Sequence, residues 1–240
     1  CGAHFGVDTR YTDMVEMIEK EKPDLLHIIT PPTIRYSLMK IAADMGVPAV
    51  IVEKPIALQS EDYIQIRSLL DLDTKFIVNT QLHFHPNNLT LGDAVRGGEI
   101  GDIRFVDASA RSTPIDQGPH VLELVSSYLG LIPPTQVFGQ VSGGAHMEGR
   151  QPSPSHATGT VVYQGGIRAN VTFGTEAAPR IWDNDSVFMH KRIAVYGTKG
   201  WAHWYMAGWE KFTVKDGYES GSHGYGEQDL LAQAGLTEAA

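Results

Sequence analysis

Residues 25–55, LLHIITPPTIRYSLMKIAADMGVPAVIVEKP, decide the fold. Leu25 to Ile29 is a short apolar run, β-branched at its end, which is how a strand covered on both faces of a parallel sheet reads. Thr30-Pro31-Pro32 stops it. Ile34, Leu38, Ile41 and Met45 then recur at helical spacing. Gly46 stands where a helix ends in a left-handed residue, and Pro48 follows. Ala49 to Val52 is a second buried strand, and it runs directly into Glu53-Lys54-Pro55.

Working outward, Asp13 reads as a helix N-cap with Glu16 in capping-box position. Met14, Val15 and Ile18 give that helix an apolar side, and Pro23 closes it. Ser60 caps a further helix carrying Tyr63, Ile66 and Leu70, and Lys75 to Asn79 is a third strand. Strands alternating with helices over short links predict a parallel sheet in an α/β domain. Beyond residue 82 the pattern changes. A helix is expected over Leu89 to Arg96, a strand over Ile103 to Ala110, and a helix opened by Gly118 and Pro119, with proline at its first position, running to Gly130. Ile167, Ala169, Val171 and Phe173 alternate with Arg168, Asn170 and Thr172, the period of a two-faced sheet, after a Gly165-Gly166 turn. Arg192 to Tyr196 and Trp201 to Tyr205 flank a Gly-Thr-Lys-Gly turn, and Lys211 to Val214 adds a strand. Gly143 to Ser155 and Asp216 to Gly226 read as mobile loops. The expected domains are 1–82 and 83–240, the second α+β with a large, mainly antiparallel sheet.

The composition narrows the function classes. The 240 residues carry 19 basic and 28 acidic side chains, a net charge of −9, which argues against a general nucleic-acid binder. No apolar run approaches the roughly 18–20 residues of a membrane span. The first residues lack the basic and apolar regions of a secretory signal. One cysteine forms no internal disulfide, so a reducing, cytoplasmic setting is expected. Both ends open in mid-pattern: the residues through Phe5 and Gly6 read as the end of a helix, and Asp229 to Ala240 as the beginning of another. The expectation is a piece of a longer chain.

Three segments place reactive groups at element ends. Glu53-Lys54-Pro55 lies at the carboxyl end of a buried parallel strand, where open α/β sheets bind ligands. A lysine there is either a partly desolvated group suited to proton transfer or a surface residue closing a strand. In Asp116-x-Gly118-x-His120-x-x-Glu123, the predicted helix start puts His120 in the first turn, where the dipole favours neutral imidazole. Asp116 precedes it and Glu123 shares its face; the pair could equally be helix caps. Thr30-Pro31-Pro32 lines either a cofactor crevice or only a turn. His83-x-His85 alternates along an extended segment, both rings on one side, with no further ligand nearby to complete a metal site. Trp201, Trp204 and Trp209 suggest sheet packing or an oligomer interface.

Taken in order, these motifs resemble the glucose–fructose oxidoreductase / inositol dehydrogenase / rhizopine-catabolism (Gfo/Idh/MocA) family. "FGV…YTDMVEMIEKEKPDLLHIITPP" is similar to the middle of its Rossmann domain. "GVPAVIVEKPIAL" resembles its Glu-Lys-Pro signature, and "FIVNTQLHFHPNNLTLGDAVRGGEIGDIRFVDAS" its entry into the second domain. "DQGPHVLEL" resembles its Asp-x-Gly-x-His-x-x-Asp helix, and "AVYGTKG" a sheet turn. The resemblance implies an incomplete Rossmann parallel sheet followed by the α+β domain. It also implies NAD- or NADP-dependent hydride transfer to or from a sugar, cyclitol or related polyol, and a homo-oligomer joined through the second sheet. It assigns catalysis and substrate binding to Lys54, Asp116 and His120: Lys54 polarises the reacting hydroxyl, His120 exchanges its proton, and Asp116 binds and orients. It assigns the cofactor to Thr30, Pro31, Pro32, Glu53, Lys54, Pro55 and Asn79. Relatives that use bound NAD in glycoside cleavage, and cofactor-binding sensors without turnover, are the alternative readings. The chain departs from the family in four ways. It has no G-x-G-x-x-G, so weak dinucleotide binding by these 240 residues is expected. Arg35 stands where the family often has histidine, Glu123 replaces the motif's last aspartate, and the link from Ala110 to Asp116 is short.

Overall fold

A computed structural model of the chain describes residues 6–144 and 152–222. The expected helix end before Gly6 and the expected helix start at Asp229 to Ala240 lie outside the described residues, as do Cys1, His4, His146 and His223. The chain divides into two compact units, Cys1–Asn79 and Thr80–Ala240.

The first unit runs α1 (Met14–Glu21), β1 (Leu25–Ile28), a 3-10 turn (Pro32–Ile34), α2 (Arg35–Asp44), β2 (Ala49–Glu53), α3 (Ser60–Ser68) and β3 (Lys75–Asn79). The strands lie in the order β1-β2-β3 and all pair in parallel. The Asp13 carboxylate accepts the Glu16 amide at 2.8 Å, so the capping reading holds. Gly46 leaves α2 at φ 72, a conformation that costs a side chain about 1–2 kcal/mol. Val50 and Val52 are fully buried against Met39, Ala42 and Ile66. Each such side chain contributes roughly 1.5–3 kcal/mol.

Two expectations change here. The fully buried line of α2 is Arg35, Met39 and Ala42, with Leu38, Ile41 and Met45 packed at its flank and Ile34 exposed. The extra residues of the 3-10 turn rotate the helix relative to the apolar periodicity. In α3, Ile66 is buried while Tyr63 and Leu70 are exposed. In addition, only one face of the sheet is covered by this unit's helices: Leu25 and Ile77, on the other face, stay exposed. Both crossovers advance the sheet in one direction and therefore fall on one side.

The second unit runs α4 (Pro86–Arg96), β4 (Ile103–Ala110), α5 (Pro114–Tyr128), β5 (Pro134–Ser142), β6 (His156–Tyr163), β7 (Arg168–Phe173), β8 (Lys191–Gly197), β9 (Gly200–Tyr205), β10 (Gly208–Thr213) and β11 (Gly217–Ser222). Its eight strands lie in the order β11-β10-β9-β8-β4-β7-β6-β5. Every neighbouring pair is antiparallel except β4 with β7. Val121, Leu124, Val125 and Tyr128 of α5 form the core with Val106, Ala108, Ile193, Val195 and the fully buried Trp204. The opposite sheet face carries Phe105 stacked on Tyr196 and Trp201 stacked on His203. An Arg192–Asp107 ion pair shares that face. The three tryptophans therefore part company: Trp204 is core, Trp209 packs at the core's edge, and Trp201 faces outward.

Three strands fall outside the predicted set. β5 and β11 are held by ladder hydrogen bonds rather than by an apolar pattern, whereas β6 also turns Val161 and Tyr163 into the core. β11 includes Gly217 to Ser222 of the segment read as a loop. Helix α5 starts at Pro114, so Pro119 lies inside it and Pro114 takes the first position. Among the described residues, no helix is long and apolar enough to cross a membrane.

Candidate active site

In the first unit, the strand register sets the site. Parallel pairing places the carboxyl ends of β1, β2 and β3 side by side, with Glu53 directly opposite Asn79. Asn79 Nδ2 donates to Glu53 Oε1 at 2.6 Å, and His27 Nε2 of β1 stands 3.5 Å from the same oxygen. Lys54 follows, partly exposed, and Pro55 is buried. At the end of β1, Pro31 opens the 3-10 turn and Pro32 is buried within it. The Arg35 guanidinium donates to the carbonyls of both Thr30 and Pro55. Thus Thr30, Pro31, Pro32, Glu53, Lys54, Pro55 and Asn79 share one edge of one sheet. Arg35 and His27 join them. No local motif marks these roles, because the Arg35–Pro55 and His27–Glu53 contacts join residues 20 or more apart in the chain.

In the second unit, Asp116 occupies the first turn of α5, where the helix dipole favours a carboxylate. Ser112 Oγ donates to its Oδ2 at 2.9 Å. Gly118 stands against the Phe173 ring; a methyl there would meet the ring at 3.7 Å. Because α5 starts at Pro114, His120 falls in the second turn, where the dipole acts on it less than expected. His120 is buried, and Glu123 lies one turn on.

His83 Nδ1 donates to Glu123 Oε1 at 2.7 Å. Burial raises the Glu123 carboxyl above the usual carboxylate range, and the bond to His83 pulls in the other direction. The other Glu123 oxygen is buried with no partner. His85 does not point with His83. Residues 81–84 form a 3-10 turn, and His85 Nδ1 instead accepts the Asn87 amide at 3.3 Å as the N-cap of α4. Among the described residues, no group of three or more His, Cys, Asp or Glu is placed to hold a metal.

Chemically, the first unit offers an ammonium and a braced carboxylate at strand ends. The second offers a buried imidazole and two carboxylates along one helix. In the first unit, one buried group bears on a nicotinamide dinucleotide. Thr30 Oγ1 is buried at the strand end with no hydrogen-bond partner, a group suited to a polar ligand edge. That hydroxyl fits a polar edge of such a molecule. No G-x-G-x-x-G occurs in the sequence to receive its phosphates.

Residues 1–78 match the GFO_IDH_MocA family, described as an oxidoreductase family with an NAD-binding Rossmann fold. D-apiose dehydrogenase of Paraburkholderia graminis is 31% identical over 113 residues, which cover 47% of this chain and 30% of that protein. A levoglucosan dehydrogenase solved with NADH and levoglucosan superposes with TM-score 0.78 at 16% identity, covering 93% of this chain and 67% of that one. An inositol dehydrogenase homologue from Azotobacter vinelandii, solved with NADH and myo-inositol, gives TM-score 0.75 at 19% identity, covering 94% and 65%. At those identities the two structures establish the fold. The chain spans under a third of the apiose enzyme's length and about two thirds of the solved chains.

Proposed function

We propose, for a chain whose residues 1–78 match the Gfo/Idh/MocA oxidoreductase family, an NAD- or NADP-dependent oxidation or reduction at a CH–OH carbon of a sugar, cyclitol or related polyol. The observation that carries this reading is Lys54 at the carboxyl end of the central parallel strand, beside a Glu53 held by Asn79. The dehydrogenases of apiose, levoglucosan and inositol among its relatives support the substrate class.

A bound nicotinamide supplies the hydride acceptor or donor. Thr30, Pro31, Pro32, Glu53, Pro55 and Asn79 would border it. Removing a hydride from an alcohol carbon also requires the hydroxyl proton to leave. Lys54 holds the hydroxyl oxygen with its ammonium, His120 takes the proton on its ring, and Asp116, kept in place by Ser112, hydrogen-bonds the substrate. We also propose that the outward sheet face with Phe105, Tyr196, Trp201 and Phe212 packs on a second copy of the chain. Phe212→Arg should then lower the molar mass measured by light scattering.

The test of the reaction is formation of reduced nicotinamide when the protein, a polyol panel and NAD⁺ or NADP⁺, raised in concentration until weak binding saturates, are mixed. Lys54→Met and His120→Asn should each lower turnover by about 10²–10⁴-fold while retaining the unfolding midpoint. No reduced nicotinamide with any polyol, or full turnover in both variants, overturns the reading. Release of a free sugar without net reduction would assign glycoside cleavage instead.

A further inference from the structure

We propose that Arg35 is a positioning residue: it clamps the Thr30–Pro32 turn to Glu53-Lys54-Pro55 and so sets where the Lys54 amine stands. The inference rests on the function proposed above. Its physical basis is that burial and the helix end both oppose an arginine at this position, with the Glu53 charge acting in the other direction.

Arg35 is 1% exposed. A buried guanidinium loses its hydration, and replacing such charges by well-packed apolar side chains often leaves a fold as stable or more so. Arg35 is also the first residue of α2, at the positive end of the helix dipole, where a cation is disfavoured. Burial accordingly pulls its pKa down, with only the Glu53 charge acting in the other direction. Both costs oppose arginine, so the core packing of Met39 and Ala42 along the same helix does not account for it.

What the guanidinium offers is a planar fork of donors with fixed spacing. One terminal nitrogen donates to the Thr30 carbonyl and the other to the Pro55 carbonyl. Those two carbonyls lie in the turns that follow β1 and β2. The clamp therefore joins the two strand-end turns, while Asn79 joins Glu53 to β3. Side-chain bonds thus tie the ends of three neighbouring strands across the sheet edge that carries Lys54. A lysine would keep the charge without the fork. A histidine, the residue often found here in the family that the sequence resembles, has two ring nitrogens facing opposite ways and would reach one carbonyl.

The test uses the 240-residue chain without cofactor. Arg35→Met, Arg35→Lys and Arg35→His are compared with the unaltered protein by amide hydrogen exchange and by the rate and pH dependence of Lys54 acylation, with Lys40 and Lys75 as internal references. Arg35→Met should speed exchange at Thr33 and Ile34 and at Ile56 and Ala57 by about tenfold or more. It should also change the Lys54 acylation profile while leaving Lys40 and Lys75 as they were. Arg35→Lys and Arg35→His should restore protection at no more than one of the two turns; these variants carry the test if Arg35→Met does not fold. Unchanged exchange at both turns, an unchanged Lys54 profile, or exchange rising equally in every element of the unit would overturn the proposal. A protein that shows the clamp but reduces no nicotinamide would leave Arg35 a clamp and remove the catalytic reading, so the two failures are distinguishable.

Discussion

Replacing His83 by phenylalanine isolates the His83–Glu123 bond, because the aromatic edge contact with Phe84 at 4.9 Å can be retained while the donor is lost. Hydrogen bonds to charged groups contribute about 1.5–3 kcal/mol. The two side chains are 31% and 25% exposed, so solvent screening brings the expected loss to about 1–2 kcal/mol. The pH dependence follows from the carboxyl. Burial already raises Glu123 above the usual carboxylate range, and His83 opposes that rise. A raised folded-state carboxyl pKa favours the protonated form, so its benefit is present at low pH and lost as pH rises through the folded value. Without His83 the rise is larger and the loss at neutral pH is greater. Urea unfolding should therefore show His83→Phe destabilised by about 1–2 kcal/mol at about pH 7.5. The deficit should be largely gone at about pH 4, where most of the carboxyl is protonated. In a Glu123→Gln background the same substitution should cost less than about 0.5 kcal/mol at neutral pH. A deficit equal at both pH values, or below about 0.3 kcal/mol at pH 7.5, would refute the pairing.

Gly174 has φ 132, and a Cβ there would lie 2.3 Å from His156 Cδ2 and 3.0 Å from the Ser155 carbonyl. Gly174→Ala should thus lose about 2–4 kcal/mol in urea unfolding; a loss under about 1 kcal/mol would show that the neighbouring loop yields. Trp204 is fully buried in the second core, and Trp204→Ala should cost about 3–5 kcal/mol by the same measurement. Asn79→Ala removes the brace on Glu53. It should lower stability by about 1 kcal/mol and raise KM for the dinucleotide more than it lowers kcat; steady-state kinetics showing the reverse would separate Asn79 from the cofactor edge.

The parts of the fold that the sequence makes legible are those where one side of an element is buried. β4 at Ile103–Ala110, with Val106, Ala108 and Ala110 buried, has the bounds that its apolar pattern predicts. β5 is exposed at every residue, so no alternation marks it, and only its pairing with β6 reveals a strand. Glu53-Lys54-Pro55 and Asp116-x-Gly118-x-His120 are legible as sites because each is contiguous or follows one helix. Arg35, His27 and His83 are not: their partners Pro55, Glu53 and Glu123 lie 20 or more residues away, and no local spacing encodes such bonds. The His83-x-His85 pattern also misleads for a physical reason, since alternation places rings on one side only in extended backbone, and His83 lies within a 3-10 turn that His85 ends.

Helix α5 shows how a correct rule can lead to the wrong chemistry. Proline is favoured at the first position of a helix, and both Pro114 and Pro119 are available for it. Thr113, extended at φ −62 and ψ 150, makes Pro114 the start. Pro119 is then tolerated inside because residue 118 is glycine, which escapes the clash that a proline imposes on the preceding side chain in helical conformation. The shift moves Asp116 from the approach to the helix into its first turn, where Ser112 Oγ donates to its carboxylate. It moves His120 beyond that turn. In the proposed reaction, Asp116 is the group that the helix terminus serves, and variation at Ser112 should be felt in substrate binding before it is felt in proton transfer.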